Sequence, residues 1–176
     1  MQLLPTVVDI EAKGFAVDRE LLEKIGEKCN RRSKPSEKKL HKLFGSSVNL
    51  ESPKQLKEAF KGIGLNLSST NAATLTESDH EAARLLLKYR GEIKQRQQVE
   101  TLLKATGPDE RIHGQFKPMA TDTGRFSSSD PNMQNISRGE IRRAFIAAPK
   151  CQLVIADYSQ IELRAAAVIA KDETML

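Results

Sequence analysis

The sequence predicts an α+β fold whose two kinds of structure are separated along the chain, a mainly helical part over residues 1–106 and a strand-and-loop part over residues 107–176. Three observations carry this expectation. Capped helical patterns recur as far as residue 105; the texture changes at Gly107-Pro108; and an apolar run, QLVIAD at 152–157, leads directly into a helical stretch near Ser159. With 39% apolar residues in 176, the chain has enough side chains to bury a core, so it is expected to be at least partly globular.

Taken in order, the apolar pattern from Leu3 to Ile10 stops at Gly14, and Asp18 offers an N-cap to RELLEKIGEKCNRR, so a helical hairpin is expected. Residues 30–49 are basic and punctuated by Pro35, Gly45 and serines, which reads as a short helix between flexible connections. Ser52, Pro53 and Gln55 supply a cap, a first-position proline and a capping-box partner for a helix closed by Gly62 and Gly64. Ser78 with Glu81 looks like a second capping box, opening a long helix. Its seam runs through Ala82, Leu86, Tyr89, Ile93 and Leu103 and is interrupted by Arg96 and Glu100. An arm packed at its ends and wet in the middle follows from that interruption. Beyond residue 107, IHGQF (112–116) reads as one short strand, TDTGRFSSSDPNMQNIS (121–137) as a polar loop, 141–147 as an ordered element and QLVIAD as a buried strand. A loop of that length inside a compact domain is usually functional.

Charge and cysteine content narrow the classes of function. There are 28 Lys and Arg against 23 Asp and Glu, a net +5 that favours a polyanionic partner and is equally consistent with a well-solvated surface. Arg84, Lys88, Arg90, Lys94, Arg96 and Lys104 give the long helix a basic flank able to follow phosphates. Cys29 and Cys151 match no ligand spacing, so neither a disulfide framework nor a zinc site is expected. The N-terminus lacks a basic n-region, and the longest late apolar run, 165–170, is too short to span a bilayer, so a soluble cytoplasmic protein is expected.

The chemistry concentrates near the end of the chain. Asp157 stands where an apolar strand pattern ends and a helix pattern begins, a position from which a carboxylate can face a cleft and ligate a hard cation such as Mg²⁺, or simply cap the helix. Ser159 and Glu162 form the S-x-x-E of a capping box, which explains both by local helix chemistry.

Together, DYSQIELR (157–164) and the upstream TGRFSSSDPNMQN resemble signature segments of the DNA polymerase I family. The resemblance extends over nearly the whole chain, because the opening helices, SPKQLKEAF, SSTNAATL and YRGEIKQR follow the order of the family's thumb, and the rest is similar to the start of its palm. It implies a helical thumb (1–106) joined to an incomplete antiparallel palm sheet with one catalytic strand–helix segment (107–176). It also implies that Asp157 and the backbone carbonyl of Tyr158 ligate the catalytic metal pair. Glu162 would lie beneath the incoming sugar as a steric gate against a 2′-hydroxyl, and Gln160 and Ile161 would shape the nucleotide pocket. Arg125 would reach the minor groove at the primer end, with Asn132, Gln134 and Asn135 gripping the nearby duplex. Such groups can read duplex geometry there without reading sequence, since every base pair offers minor-groove acceptors. Asn132 and Asn135 also suit turn stabilisation. Ser69, Thr70, Lys94 and Arg96 match phosphate-contacting positions, a role open to any exposed cation or hydroxyl.

Two departures stand out. Where the family usually has Asn-Ile-Pro, this chain has Asn135-Ile136-Ser137, and the connection to Ile141 is shorter, so a different loop path is expected and the inheritance of the family's arginine by Arg138 stays open. Nothing in the sequence resembles the fingers helix, the segment bearing the second metal-binding aspartate, or a nuclease region. The expectations are therefore a segment of a template-directed DNA polymerase using two Mg²⁺ ions that this chain only partly ligates, inactive alone. Its partners would be primer-template DNA, deoxynucleoside triphosphates and the remaining fingers and palm. The alternatives are a primer-template binding module without chemistry and an interaction protein completing another chain's palm.

Overall fold

The computed structural model describes residues 3–172 and 174. It is α+β, with seven helices and two small antiparallel sheets among the described residues, and it divides into two compact units, Met1–Ile146 and Ala147–Leu176.

The first unit is organised by two long helices. α1 (Leu3–Lys13) is followed by the short β1 (Phe15–Ala16) and then by α2 (Arg19–Phe44), whose N-cap is Asp18, accepting from the Leu21 amide at 2.9 Å. α2 runs unbroken for 26 residues through Pro35, where a short helix between flexible connections was expected. The reason lies in tertiary packing. Leu22, Ile25, Cys29, Ser33, Ser36 and Leu40 are all buried at helical spacing on one face, and that continuous contact outweighs the single backbone hydrogen bond that a mid-helix proline removes. The expected hairpin of α1 with α2 is replaced by another pairing, since α2 packs along α5 (Glu81–Ala105).

Between these two helices lie α3 (Pro53–Gly62) and α4 (Ala72–Glu77). Ser52 caps α3 as expected, while the Gln55 side chain turns to the Asn49 amide at 2.7 Å and so does not complete the reciprocal box. The helix ends in a Schellman arrangement. The Leu65 amide donates to the Phe60 carbonyl and the Gly64 amide to that of Lys61, with Gly64 at φ +86° supplying the left-handed residue. The capping box expected at Ser78 does not form: Ser78 ends α4, and His80 caps α5 by accepting the Ala82 amide on Nδ1 at 3.1 Å.

Two cores result. A distal one joins Leu40 of α2 to Leu56, Phe60, Leu75, Leu86 and Tyr89; a basal one joins Val17, Leu22, Ile25 and Cys29 to Val99, Leu102, Ile112 and Ile141. α2 therefore runs antiparallel to α5, its start meeting the end of its partner. Between the cores the residues are polar but not wet as the interrupted seam implied: Ser33 and Ser36 of α2 are buried, and Gln95 and Arg96 of α5 are half-buried. The basal seam of α5 uses Val99 and Leu102 rather than a continuation through Leu103, so its buried face turns by more than about 90° between the cores.

At the base, the segment read as one strand is two. β2 (Arg111–Ile112) pairs antiparallel with β1, and β3 (Gln115–Lys117) pairs with β4 (Ser127–Ser129), a strand hidden inside the polar loop. α6 (Glu140–Arg143) closes this base. In the second unit, residues 151–158 form no strand. A strand persists only where its backbone groups find partners, and no described segment pairs with this one. The helix that follows is α7 (Ile161–Ala170). Among the described residues no helix is long and apolar enough to cross a membrane.

Candidate functional site

The residues singled out by sequence fall into three groups, the first of them around α5. Ser69 accepts the Asn71 amide on its hydroxyl at 3.1 Å. Thr70 is buried, and the guanidinium of Arg90 donates to its carbonyl. Burial pulls the Arg90 pKa below its ordinary value, yet a guanidinium is basic enough to stay charged. Lys94 is exposed one turn beyond Arg90 and lines a shallow depression with Leu50, Tyr89 and Gln97. Arg96 lies about 200° from Lys94 around the helix, with its guanidinium 3.5 Å from Asn30 and 3.3 Å from Glu100. Lys94 and Arg96 thus leave α5 on opposite sides.

The second group is built on β4 and the loop after it. Thr121 holds Arg125 from both sides: its hydroxyl accepts the Arg125 amide at 2.9 Å and donates to the Arg125 carbonyl at 3.2 Å. Gly124, at φ +73°, makes the tight turn between them. The Arg125 side chain is exposed at the entrance to β4. Further on, the Asp130–Pro131 peptide is cis. The buried Ser128 hydroxyl accepts the Met133 amide at 3.0 Å, and Asn132 Oδ1 accepts the amides of Gln134 and Asn135 at 3.0 and 3.2 Å. Asn132 therefore performs the turn-stabilising role that its type allows. Met133 and Ile136 pack onto the basal core, while Asn132, Gln134 and Asn135 are exposed. Inward apolar anchors and outward amides make this a fastened, polar surface. Arg125, Asn132, Gln134 and Asn135 share one short stretch of the base, whereas Ser69, Thr70 and Lys94 belong to the distal half.

The third group, Asp157, Tyr158, Gln160, Ile161 and Glu162, belongs to the second unit. All five are exposed, Tyr158 at 80%. The Ser159–Glu162 capping box is absent. Gln160 takes the N-cap position in the left-handed region, φ 54°, without a side-chain cap bond. With no neighbouring strand to hold Asp157, the backbone of the segment is fixed only from residue 161 onward. Among the described residues no group of three or more His, Cys, Asp or Glu could hold a metal ion. Asp157 with the Tyr158 carbonyl offers a hard, oxygen-only pair that suits Mg²⁺ in kind, yet is too few ligands to hold it.

Several supporting residues were not legible in the sequence. Arg90 ties the 69–70 turn to α5. Glu11 accepts the Phe116 amide at 2.6 Å, and His113 bridges the Glu11 carbonyl at 2.8 Å and Asp109 at 3.0 Å, fastening α1 to the base. Gln98 reaches the loop at 135–137. Each acts across a long sequence separation, which no local pattern reveals.

A family model described as DNA polymerase family A matches residues 19–176. DNA polymerase I of Bacillus subtilis is 38% identical over 195 aligned residues, covering 100% of this chain and 22% of the relative. That of Pseudomonas aeruginosa is 36% identical over 198, covering 100% and 21%. The chain thus spans about a fifth of the length of these curated relatives. A solved POL domain of Pol1 from M. smegmatis, in complex with DNA primer-template and dNTP, superposes with a TM-score of 0.86 at 30% identity over 97% of this chain and 33% of that one.

Proposed function

The chain belongs to DNA polymerase family A, and from that membership we propose that it supplies the thumb (1–106) and the first catalytic segment of the palm (107–176) for template-directed DNA synthesis in replication or repair. The reaction is nucleotidyl transfer: the primer 3′-oxygen attacks the α-phosphorus of a deoxynucleoside triphosphate, its P–O bond forms, and pyrophosphate leaves. The observation that carries the reading is the surface at the base of the helical unit, where Arg125 and the amides of Asn132, Gln134 and Asn135 stand outward on a backbone fastened from beneath. These are the group types that can grip a minor groove irrespective of sequence. A complex of DNA primer-template and dNTP with the related solved domain supports the same kind of partner.

In this proposal Asp157 and the carbonyl of Tyr158 contribute oxygen ligands to Mg²⁺, Glu162 lies beneath the incoming sugar, and Gln160 and Ile161 line the nucleotide pocket. Bound Mg²⁺ would offset phosphate charge and favour ionisation of the 3′-hydroxyl. Lys94 and Ser69 are the better placed of the phosphate-contacting candidates, because Thr70 is buried and Arg96 is engaged by Asn30 and Glu100. The working compartment is the cytoplasm.

For this chain by itself the reading is binding without chemistry, favoured by the lack of a multi-carboxylate cluster among the described residues. Primer extension with Mg²⁺ and four nucleotides tests it, run beside salt-dependent binding of the same DNA. Wild type should bind with an affinity that falls steeply with salt and should incorporate no nucleotide. Incorporation abolished by Asp157→Ala would overturn the inactivity, and absence of binding would overturn the DNA-gripping reading.

A further inference from the structure

We propose that Gln98 is a positioning residue that sets the presentation of the outward amides at 132–135, a role that rests on the DNA-gripping reading of that loop. Gln98 sits on α5, half-buried where the helix passes the loop, and its side-chain amide makes two complementary bonds to it. Its Nε2 donates to the Asn135 carbonyl at 2.8 Å, and its Oε1 accepts the Ser137 amide at 2.9 Å. The side chain thus pairs with the loop as a strand edge would, satisfying a carbonyl and an amide two residues apart.

The consequence is geometric. Asn132 already ties the amides of Gln134 and Asn135 on one side of the turn, and Met133 and Ile136 anchor it by packing. Apolar anchors fix depth but tolerate rotation. The Gln98 bridge fixes the peptide planes on either side of Ile136, and with them the direction in which the Asn135 side chain leaves the backbone. Residue 137 matters as well, because a serine has the N–H that Gln98 needs and a proline would have none. The departure Asn135-Ile136-Ser137 therefore matches a glutamine on the facing helix, and the two form one device.

The test uses the full chain. Gln98→Met keeps the length and bulk of the side chain and removes both bonds. Two readouts are taken: amide exchange at Ser137, and affinity for a primer-template duplex by fluorescence anisotropy, with Asn135→Ala measured alongside. Gln98→Met is expected to accelerate Ser137 exchange and to weaken binding about three- to ten-fold, the scale of one or two neutral hydrogen bonds, with helical content unchanged. If Asn135→Ala weakens binding while Gln98→Met leaves either readout unmoved, Gln98 does not position the loop. If Asn135→Ala itself leaves binding unmoved, the reading of the loop as a DNA grip falls and this role of Gln98 falls with it, even where Ser137 exchange is faster.

Discussion

His113 shows how much a single exposed side chain can organise. Its ring meets Asp109 at 3.0 Å and the Glu11 carbonyl at 2.8 Å, so it fastens the end of α1 to the turn before β2. The hydrogen bond to Asp109 and then that to the Glu11 carbonyl raise its pKa above 6.5, and the bond from His113 lowers that of Asp109 below 3.8. A raised imidazole pKa stabilises the folded chain below pH 6.5, and that contribution fades as the pH rises through the folded-state value. The lowered carboxylate contributes above its unfolded value and is lost in acid. The clasp therefore works in the window between the two. A proton NMR titration should find His113 above its ordinary midpoint in the wild type and shifted back towards it in Asp109→Asn; an unmoved midpoint would mean that the carboxylate does not reach the ring in solution. None of this was legible in the sequence, where Glu11 is an ordinary polar residue about a hundred positions from Asp109 and His113. Arg125, Gln134 and Asn135, by contrast, were singled out as candidates from a contiguous motif.

At the scale of the element, local chemistry and tertiary packing divide the work. Asp18, Ser52 and Asn71 cap the helices that follow them, as short polar side chains before helical runs do. The start of α5 went to His80 rather than Ser78, because Ser78 is taken up in ending α4, where its hydroxyl donates to the Leu75 carbonyl at 2.9 Å. His80→Ala should cost about 0.5–2 kcal/mol and speed exchange of the Ala82 amide. Ser78→Ala should leave that amide protected. Chemical denaturation with amide exchange separates the two, and loss of Glu81 amide protection in Ser78→Ala, with Ala82 unmoved in His80→Ala, would restore the capping box. Pro35 is the complementary case. Read locally it breaks a helix, yet the buried face of α2 carries the helix past it, a decision made by side chains on α5 and the distal core that no window around Pro35 contains. β4 was missed for the same reason: SSS has no strand pattern of its own and is a strand only because β3 pairs with it.

At the scale of the whole molecule, the two units differ in how their backbones are satisfied. Long helices with two cores hold the first, while residues 151–158 are exposed throughout, with Val154 and Ile155 each 91% exposed and no ladder. Amide exchange should find the buried face of α2 and α5 strongly protected and residues 151–158 at rates near those of an unstructured chain. Protection there would mean that the apolar run has found a partner strand. The sequence by itself determined the α+β class, the change of texture at Gly107-Pro108, the starts of α1, α2 and α3, the polar middle of the long arm and the two motif segments that mark the family. All of these are written in residues close together in the chain, where capping, periodicity and motif act. Only the tertiary structure decided that α2 runs through Pro35, that its partner is α5, that β4 exists, and that Gln98 holds the loop. Those outcomes depend on groups far apart in sequence competing for the same hydrogen bonds and buried surface. The strand expected at 152–157 belongs with them, since alternation and β-branching can favour an extended chain but only a neighbouring strand can satisfy its backbone.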